Sequence, residues 1–422
     1  MTLPQAKPPL AQAKPPLATV GVLSAASYAY RRAAARETWA QPRELDRANV
    51  LATFVIASAN GTLPRASGDV VWLPTHGASM RRLISPLVTT FAWLQYATSS
   101  PPHSRASFVV KCDDDVYLHM PGLAAQLRMM LADSQRPSGP GLAHSALPLS
   151  SSIYFGRLYW TNYDAESYIH VATGYSPDHA GRAEKARLCE NCTGPFPFAT
   201  GSLQGLSLPL ARALANSPAA NLHVHEAIRR FSSSTRKTPV FEDAWLGYAM
   251  VGLLPPDPLR RMSVVAVDPM FVFDDSRFVM HNLTLLVHWK SGKQYARTFA
   301  ARMRAAHDHA SRYFCSESTP LLACGQWSHV TKWGAQYPSR LTGRGLPGGG
   351  RASCRRCVPE AHPWTVCSIL PGMKSLPRDS PAWQLCPGFA SYSFGLTGEL
   401  LRKWTSTNET FAPSCTEADC VS

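Results

Sequence analysis

The sequence predicts an α/β domain on a mixed, mostly parallel sheet, and three observations carry that reading. From about residue 19 to about residue 290, short apolar runs alternate with segments of helical spacing, the pattern of parallel strands joined by crossover helices. One apolar run, Phe108-Val109-Val110, passes directly into Lys111-Cys112-Asp113-Asp114-Asp115-Val116-Tyr117, and open α/β sheets bind ligands at the carboxyl ends of their strands. Past about residue 312 the periodicity gives way to Gly, Pro, Ser and Cys.

The elements follow in order. Residues 1–18 hold a tandem repeat of Gln-Ala-Lys-Pro-Pro-Leu-Ala; paired prolines exclude helix and favour an extended stalk or linker. Residues 19–24 read as a buried strand, 30–39 as a helix, and 51–58 and 69–73 as strands. Residues 80–96 keep helical spacing in spite of Pro86, 107–110 form the strand that feeds the acidic cluster, and 121–132 are a helix. Strands are expected over 152–158 and 203–207, a helix over 209–216, and a helix over 244–251 that opens with acids at its N-terminus. Short strands over 264–267 and 283–287 complete the domain. The expected organisation is a stalk over 1–18, one α/β domain over 19–312 and a Cys-rich, loop-rich extension over 313–422 with no assigned task.

Composition narrows the class. A chain of 422 residues, 45% hydrophobic and 17% charged, is globular. The net charge of +14 favours anionic partners, and a nucleotide or an acidic glycan satisfies it as well as nucleic acid does. No dense Lys/Arg run with interleaved aromatics occurs, which argues against nucleic acid. Of eleven cysteines, eight lie from Cys315 to Cys420, Cys189 and Cys192 form a close pair, and Cys112 stands alone. An even cluster suits a disulfide framework. Zinc at Cys354 and Cys357 is the weaker reading, because no second C-x-x-C follows at ribbon spacing. Sequons at Asn60, Asn191, Asn282 and Asn408 point the same way, to a secretory compartment. No apolar run of membrane-spanning length is present, so an anchor is expected outside what this chain displays.

Three consecutive carboxylates at a strand end disfavour joint ionisation. A cation relieves that cost, and hard divalent ions such as Mg²⁺ and Mn²⁺ bridge carboxylates to substrate phosphates. Three further segments accompany the triplet: Arg31-Arg32-Ala33-Ala34-Ala35-Arg36-Glu37-Thr38-Trp39, then Gly194-Pro195-Phe196-Pro197-Phe198-Ala199-Thr200-Gly201-Ser202, then Phe241-Glu242-Asp243-Ala244-Trp245-Leu246-Gly247. In this order, the four segments resemble glycosyltransferase family 31, the β-1,3-galactosyltransferases and β-1,3-N-acetylglucosaminyltransferases, over roughly residues 19–292.

The resemblance implies a GT-A fold, a Rossmann-like sheet that binds a UDP-sugar with Mn²⁺ or Mg²⁺. It implies an inverting hexosyltransferase acting on a hydroxyl of a glycan acceptor, in the Golgi lumen or at its membrane. By the family pattern Asp115 ligates the metal, with His288 as second ligand and His281 as fallback. Asp113 and Asp114 orient the metal shell or meet ribose and sugar hydroxyls. Asp243 is the base, Glu242 beside it raises its pKa, Arg31, Arg32 and Arg36 are candidates to contact the nucleotide, and the 195–202 loop with Gly201 shapes the sugar pocket. Trp39 is expected in the core. The chain departs from the family at Arg82–Leu87, where the family's lysine is missing, and at Gly201-Ser202-Leu203-Gln204-Gly205, where a second glycine and tyrosine are displaced. Those departures leave donor and acceptor open. The competing readings are a glycan-binding protein on a transferase scaffold and a metal-dependent phosphohydrolase, which needs further ligands for a second metal.

Overall fold

The computed structural model describes residues 14–58, 64–75, 84–135, 151–174, 192–231, 240–254, 262–266, 271–273, 285–289, 298–313 and 366–369. In chain order the strands are β1 (Ala18–Ser24), β2 (Val50–Ser58), β3 (Arg65–Ser67), β4 (Val70–Pro74), β5 (Phe108–Asp113), β6 (Val116–Leu118), β7 (Ser152–Asp164), β8 (Ile169–Gly174), β9 (Thr193–Ser207), β10 (Met262–Ala266), β11 (Phe271–Phe273), β12 (Leu286–His288) and β13 (Val366–Ile369). The helices are α1 (Ala29–Arg36), α2 (Pro42–Ala48), α3 (Ser85–Ser99), α4 (Met120–Ser134), α5 (Leu208–Ala215), α6 (Pro218–Phe231), α7 (Glu242–Tyr248) and α8 (Phe299–Tyr313).

The main sheet runs β13-β10-β7-β9-β5-β1-β2-β4-β3, with β8 paired to β7. Its parallel block, β4-β2-β1-β5, puts the first strand in the middle. The chain winds outward from β1 to β2 and β4, then returns to lay β5 on the other side, which makes a topological switch point between β1 and β5. Two core clusters lie on opposite faces. Helices α3, α5, α6 and α7 cover one face, and α1, α2, α4 and α8 cover the other. This is a Rossmann-like α/β layering. A smaller sheet, β11-β12-β6, lies past the end of β5.

Several expectations are refined. Helix α3 begins at Ser85, so Pro86 stands in its first turn, where a missing N–H costs nothing. Residues 195–202, expected as a loop, belong to β9, which pairs antiparallel with both β5 and β7. Antiparallel pairing of Phe196–Ala199 with β7 overrides the loop preference of Gly and Pro there, and the register with β7 shifts on either side, near Gly156–Leu158 and Thr161–Tyr163. Helices α2, α6 and α8 and strands β3, β6, β8, β11 and β13 were not read from the sequence. From beyond residue 312, β13 pairs antiparallel with β10. The asparagines of the four sequons, Cys189, His281 and the repeat at 1–13 lie outside the described residues, as do the tail cysteines apart from Cys367.

Candidate active site

The site forms at the switch point. In β5, side chains alternate between faces. Val109 joins the core under α3 and α7, and Val110 and Cys112 join the opposite core. Lys111 and Asp113 therefore lie on the Val109 face, toward α7. Cys112 is a free, buried thiol whose pKa is pushed up by burial, which keeps it unreactive.

His288 arrives through the small sheet. It stands opposite Val116 in the antiparallel pairing of β12 with β6, and the Trp289 N–H donates to the Asp115 carbonyl at 3.0 Å. Trp39 is buried as expected, and its Nε1 donates to the Val116 carbonyl at 3.1 Å, fixing β6 to the turn that follows α1. The result is a donor set: ligand atoms of Asp113, Asp115 and His288 lie within 4.8 Å of one another. His288 Nε2 is 3.2 Å from Asp115 Oδ1 and 4.0 Å from Asp113 Oδ2. Neighbouring ligands of a Mg²⁺- or Mn²⁺-sized ion stand roughly 3 Å apart at bond lengths near 2.1 Å, so two carboxylates and an imidazole at this spacing fit such a cation.

Each carboxylate in that set is oriented from behind by a buried cation. Asp113 turns Oδ1 to Lys111 Nζ at 2.8 Å and Oδ2 toward His288. Asp115 turns Oδ2 to Arg31 Nη1 at 3.3 Å and Oδ1 to His288. Asp114 points elsewhere: its oxygens accept from Arg31 Nη1 at 2.6 Å and from Ser24 Oγ at 2.7 Å. Burial lifts the Asp114 carboxyl to about 6, against the pull of Arg31 and Ser24. Asp113 is also raised, first by burial and then by Glu242 and Asp115, with Lys111 opposing.

The three arginines part company. Arg31 is buried, lies 4.2 Å over the Tyr28 ring and pairs with Asp114 and Asp115. Burial opposes its charge, but Asp114 and the hydrogen bonds around it outweigh that, and its pKa rises. Arg32 donates to Ser24 Oγ and to the carbonyls of Ala25 and Ala26, holding the turn between β1 and α1. Arg36 is not brought to the cluster. It forms a two-pronged pair with Asp69 at 2.7 and 2.8 Å and lies over Phe54.

Helix α7 closes the site. Glu242 Oε1 accepts from Lys111 Nζ at 2.9 Å. Asp243 takes one hydrogen bond from the Ala244 N–H at 2.8 Å. Burial, then the adjacent Glu242, pushes its carboxyl up to about 7. The Gly201 carbonyl accepts from Lys111 at 2.6 Å. A Cβ at 201 would stand 2.8 Å from Glu242 Oε1 and 3.1 Å from Lys111 Nζ. Sequence reasoning gave no role to Lys111, Ser24 or Tyr28. For Lys111 a signal existed, since a lysine inside an apolar strand, two residues before an aspartate, shares that aspartate's face.

The arrangement sets apart two groups: three side chains able to hold a divalent cation, and a carboxyl whose pKa burial raises toward neutrality. No family model matches the chain. Two solved structures resemble it at 11% identity: an active-site mutant of LgtC (TM-score 0.34, covering 68% of this chain and 95% of that one) and mannose-1-phosphate geranyltransferase from Thermus thermophilus (TM-score 0.24, covering 69% and 99%). Over 116 residues, the chain is 28% identical to hydroxyproline O-galactosyltransferase GALT2 of Arabidopsis thaliana; the match takes in 26% of this chain and 16% of that relative's length.

Proposed function

We infer that this chain is an inverting, metal-dependent glycosyltransferase of family 31 type. It moves a hexose, galactose or N-acetylglucosamine, from a UDP-sugar to a hydroxyl of a glycan acceptor in a β-1,3 linkage. The observation that carries the reading is the donor set Asp113, Asp115 and His288 beside a separate carboxyl, Asp243, poised near neutral pH. Similarity of part of the chain to a galactosyltransferase supports it.

Asp113, Asp115 and His288 would hold Mn²⁺ or Mg²⁺. A bound divalent cation neutralises the charge that develops on the departing diphosphate. Arg31 and Lys111 hold the two aspartates in place before substrate arrives, so little reorganisation is needed during reaction. Asp243 accepts the proton of the acceptor hydroxyl as that oxygen attacks the anomeric carbon from the face opposite UDP. Glu242 is engaged by Lys111, which leaves Asp243 as the carboxylate of the pair for this task.

A Golgi lumenal setting fits the reading: the close pair Cys189 and Cys192 and the eight cysteines from Cys315 to Cys420 suit a disulfide framework, which persists in oxidising compartments. No helix among the described residues is long and apolar enough to cross a membrane. The test is a UDP-sugar panel scored by UDP release, with Mn²⁺ and after chelation. Turnover of UDP-galactose or UDP-N-acetylglucosamine that needs the metal and is lost in Asp115→Ala is expected. Metal-independent glycan binding without turnover would overturn the reading.

A further inference from the structure

Lys111 is 2% exposed, and its ammonium directs its three protons to three different elements. Nζ donates to Asp113 Oδ1 on β5 at 2.8 Å, to the Gly201 carbonyl on β9 at 2.6 Å, and to Glu242 Oε1 on α7 at 2.9 Å. Burying an ammonium is costly unless it is fully paired, and an apolar side chain of similar size often serves a core as well or better. The ammonium therefore does something that packing alone does not.

Its two carboxylate partners belong to different chemistries. Asp113 is one of the three cation donors. Glu242 opens α7 and immediately precedes Asp243. One nitrogen bridges them, so their oxygens lie within two hydrogen-bond lengths of each other. An unpaired Glu242 carboxylate at that range is a hard oxygen donor that a divalent cation recruits. Recruitment would draw the first turn of α7 toward the metal and carry Asp243 with it. Gly201 matches this arrangement, because a side chain there would press on both ends of the Lys111–Glu242 pair.

We propose that Lys111 is a positioning residue that keeps Glu242 out of the metal shell and so holds Asp243 at the proton-transfer position. The Asp243 half of the proposal rests on the transferase reading; the exclusion of Glu242 from the metal does not.

The experiment uses the full chain and Mn²⁺ alone, read by electron paramagnetic resonance and titration calorimetry. The proteins are wild type, Lys111→Met, Lys111→Arg, Glu242→Gln and the charge-balanced double variant Lys111→Met/Glu242→Gln. Lys111→Met is expected to bind Mn²⁺ roughly tenfold more tightly, from lost repulsion and a gained carboxylate. Its Mn²⁺ spectrum should change as the ligand set changes, and the double variant should restore the wild-type spectrum. Lys111→Arg and Glu242→Gln should keep that spectrum. In turnover assays Lys111→Met should lose about 100-fold in kcat with the donor KM within about threefold, and Lys111→Arg should recover part of it. If Lys111→Met does not fold, Lys111→Gln takes its place.

A wild-type spectrum in the folded lysine variant would overturn the proposal, as would a changed spectrum that Glu242→Gln does not reverse. If the wild type turns over no UDP-sugar, the transferase reading falls, while the Mn²⁺ spectra still decide whether Lys111 guards Glu242.

Discussion

Asp243 carries a carboxyl pushed up to about 7, by burial first and then by Glu242. A base must be deprotonated to act, so the transfer rate should rise with pH through about 7 and level off above it; a kcat–pH profile reads this directly. Asp243→Asn should keep UDP-sugar binding and lose roughly 10²- to 10⁴-fold in kcat, the usual contribution of a positioned base, and an unchanged kcat would reassign the role. The same shift sets a stability effect. In the unfolded chain an aspartate titrates near 3.9. Between about 4 and 7 the folded protein holds the proton that the unfolded chain has released, so stability falls as pH rises through that window. With no divalent cation present, Asp243→Asn should therefore melt higher than wild type at pH 8, and the gain should vanish near pH 4. Arg36 behaves differently. Its pair with Asp69 is largely exposed, so Arg36→Ala should cost less than about 1 kcal/mol in a denaturant melt.

At the scale of elements, close approach fixes two glycines. On β1, a Cβ at Gly21 would stand 2.3 Å from the Trp93 ring of α3. That indole is fully buried and donates to the Val110 carbonyl at 3.1 Å, so it cannot swing away cheaply. Gly21→Ala should destabilise by about 1–3 kcal/mol or more, read in the midpoint of a urea melt. Gly201→Ala tests the site instead. The new methyl meets the Glu242 carboxylate, which Lys111 holds. The melt should move less than for Gly21→Ala, while kcat falls. The strand that bears Gly201 shows why element reading failed there. Pro195, Pro197 and Gly201 read as a loop from local preference, but β7 pairs with Phe196–Ala199 and β5 with Leu203–Ser207 of the same strand, and distant pairing outweighs local propensity. Pro86 taught the opposite lesson: helical spacing was the right signal, and the proline marked the first turn.

For the whole molecule, the cation site is also a stability lever. A ligand that binds only the folded chain stabilises it, by about 2.7 kcal/mol at a concentration 100 times its Kd. Mn²⁺ should therefore raise the Tm of the wild type and leave that of Asp115→Ala unmoved in a thermal-shift titration. The winding that creates the site was partly legible in the sequence, because the alternation of apolar runs and helical segments is local. The acidic triplet was legible for the same reason: Asp113, Asp114 and Asp115 are neighbours in the chain, and their mutual repulsion calls for a cation wherever the chain goes. What lay beyond the sequence was which partner each carboxylate would meet. Asp114 turned to Arg31 and Ser24, Asp113 joined Asp115 and His288, and Arg36 went to Asp69. Lys111 came to join β5, β9 and α7 across 131 residues of sequence. The sequence by itself determined the α/β class and the residue types able to hold a divalent cation, because both follow from short-range pattern and charge. Only the tertiary structure decided the division of labour among the carboxylates, because hydrogen bonds of about 3 Å depend on which strands and helices pack together, and that is a property of the whole chain.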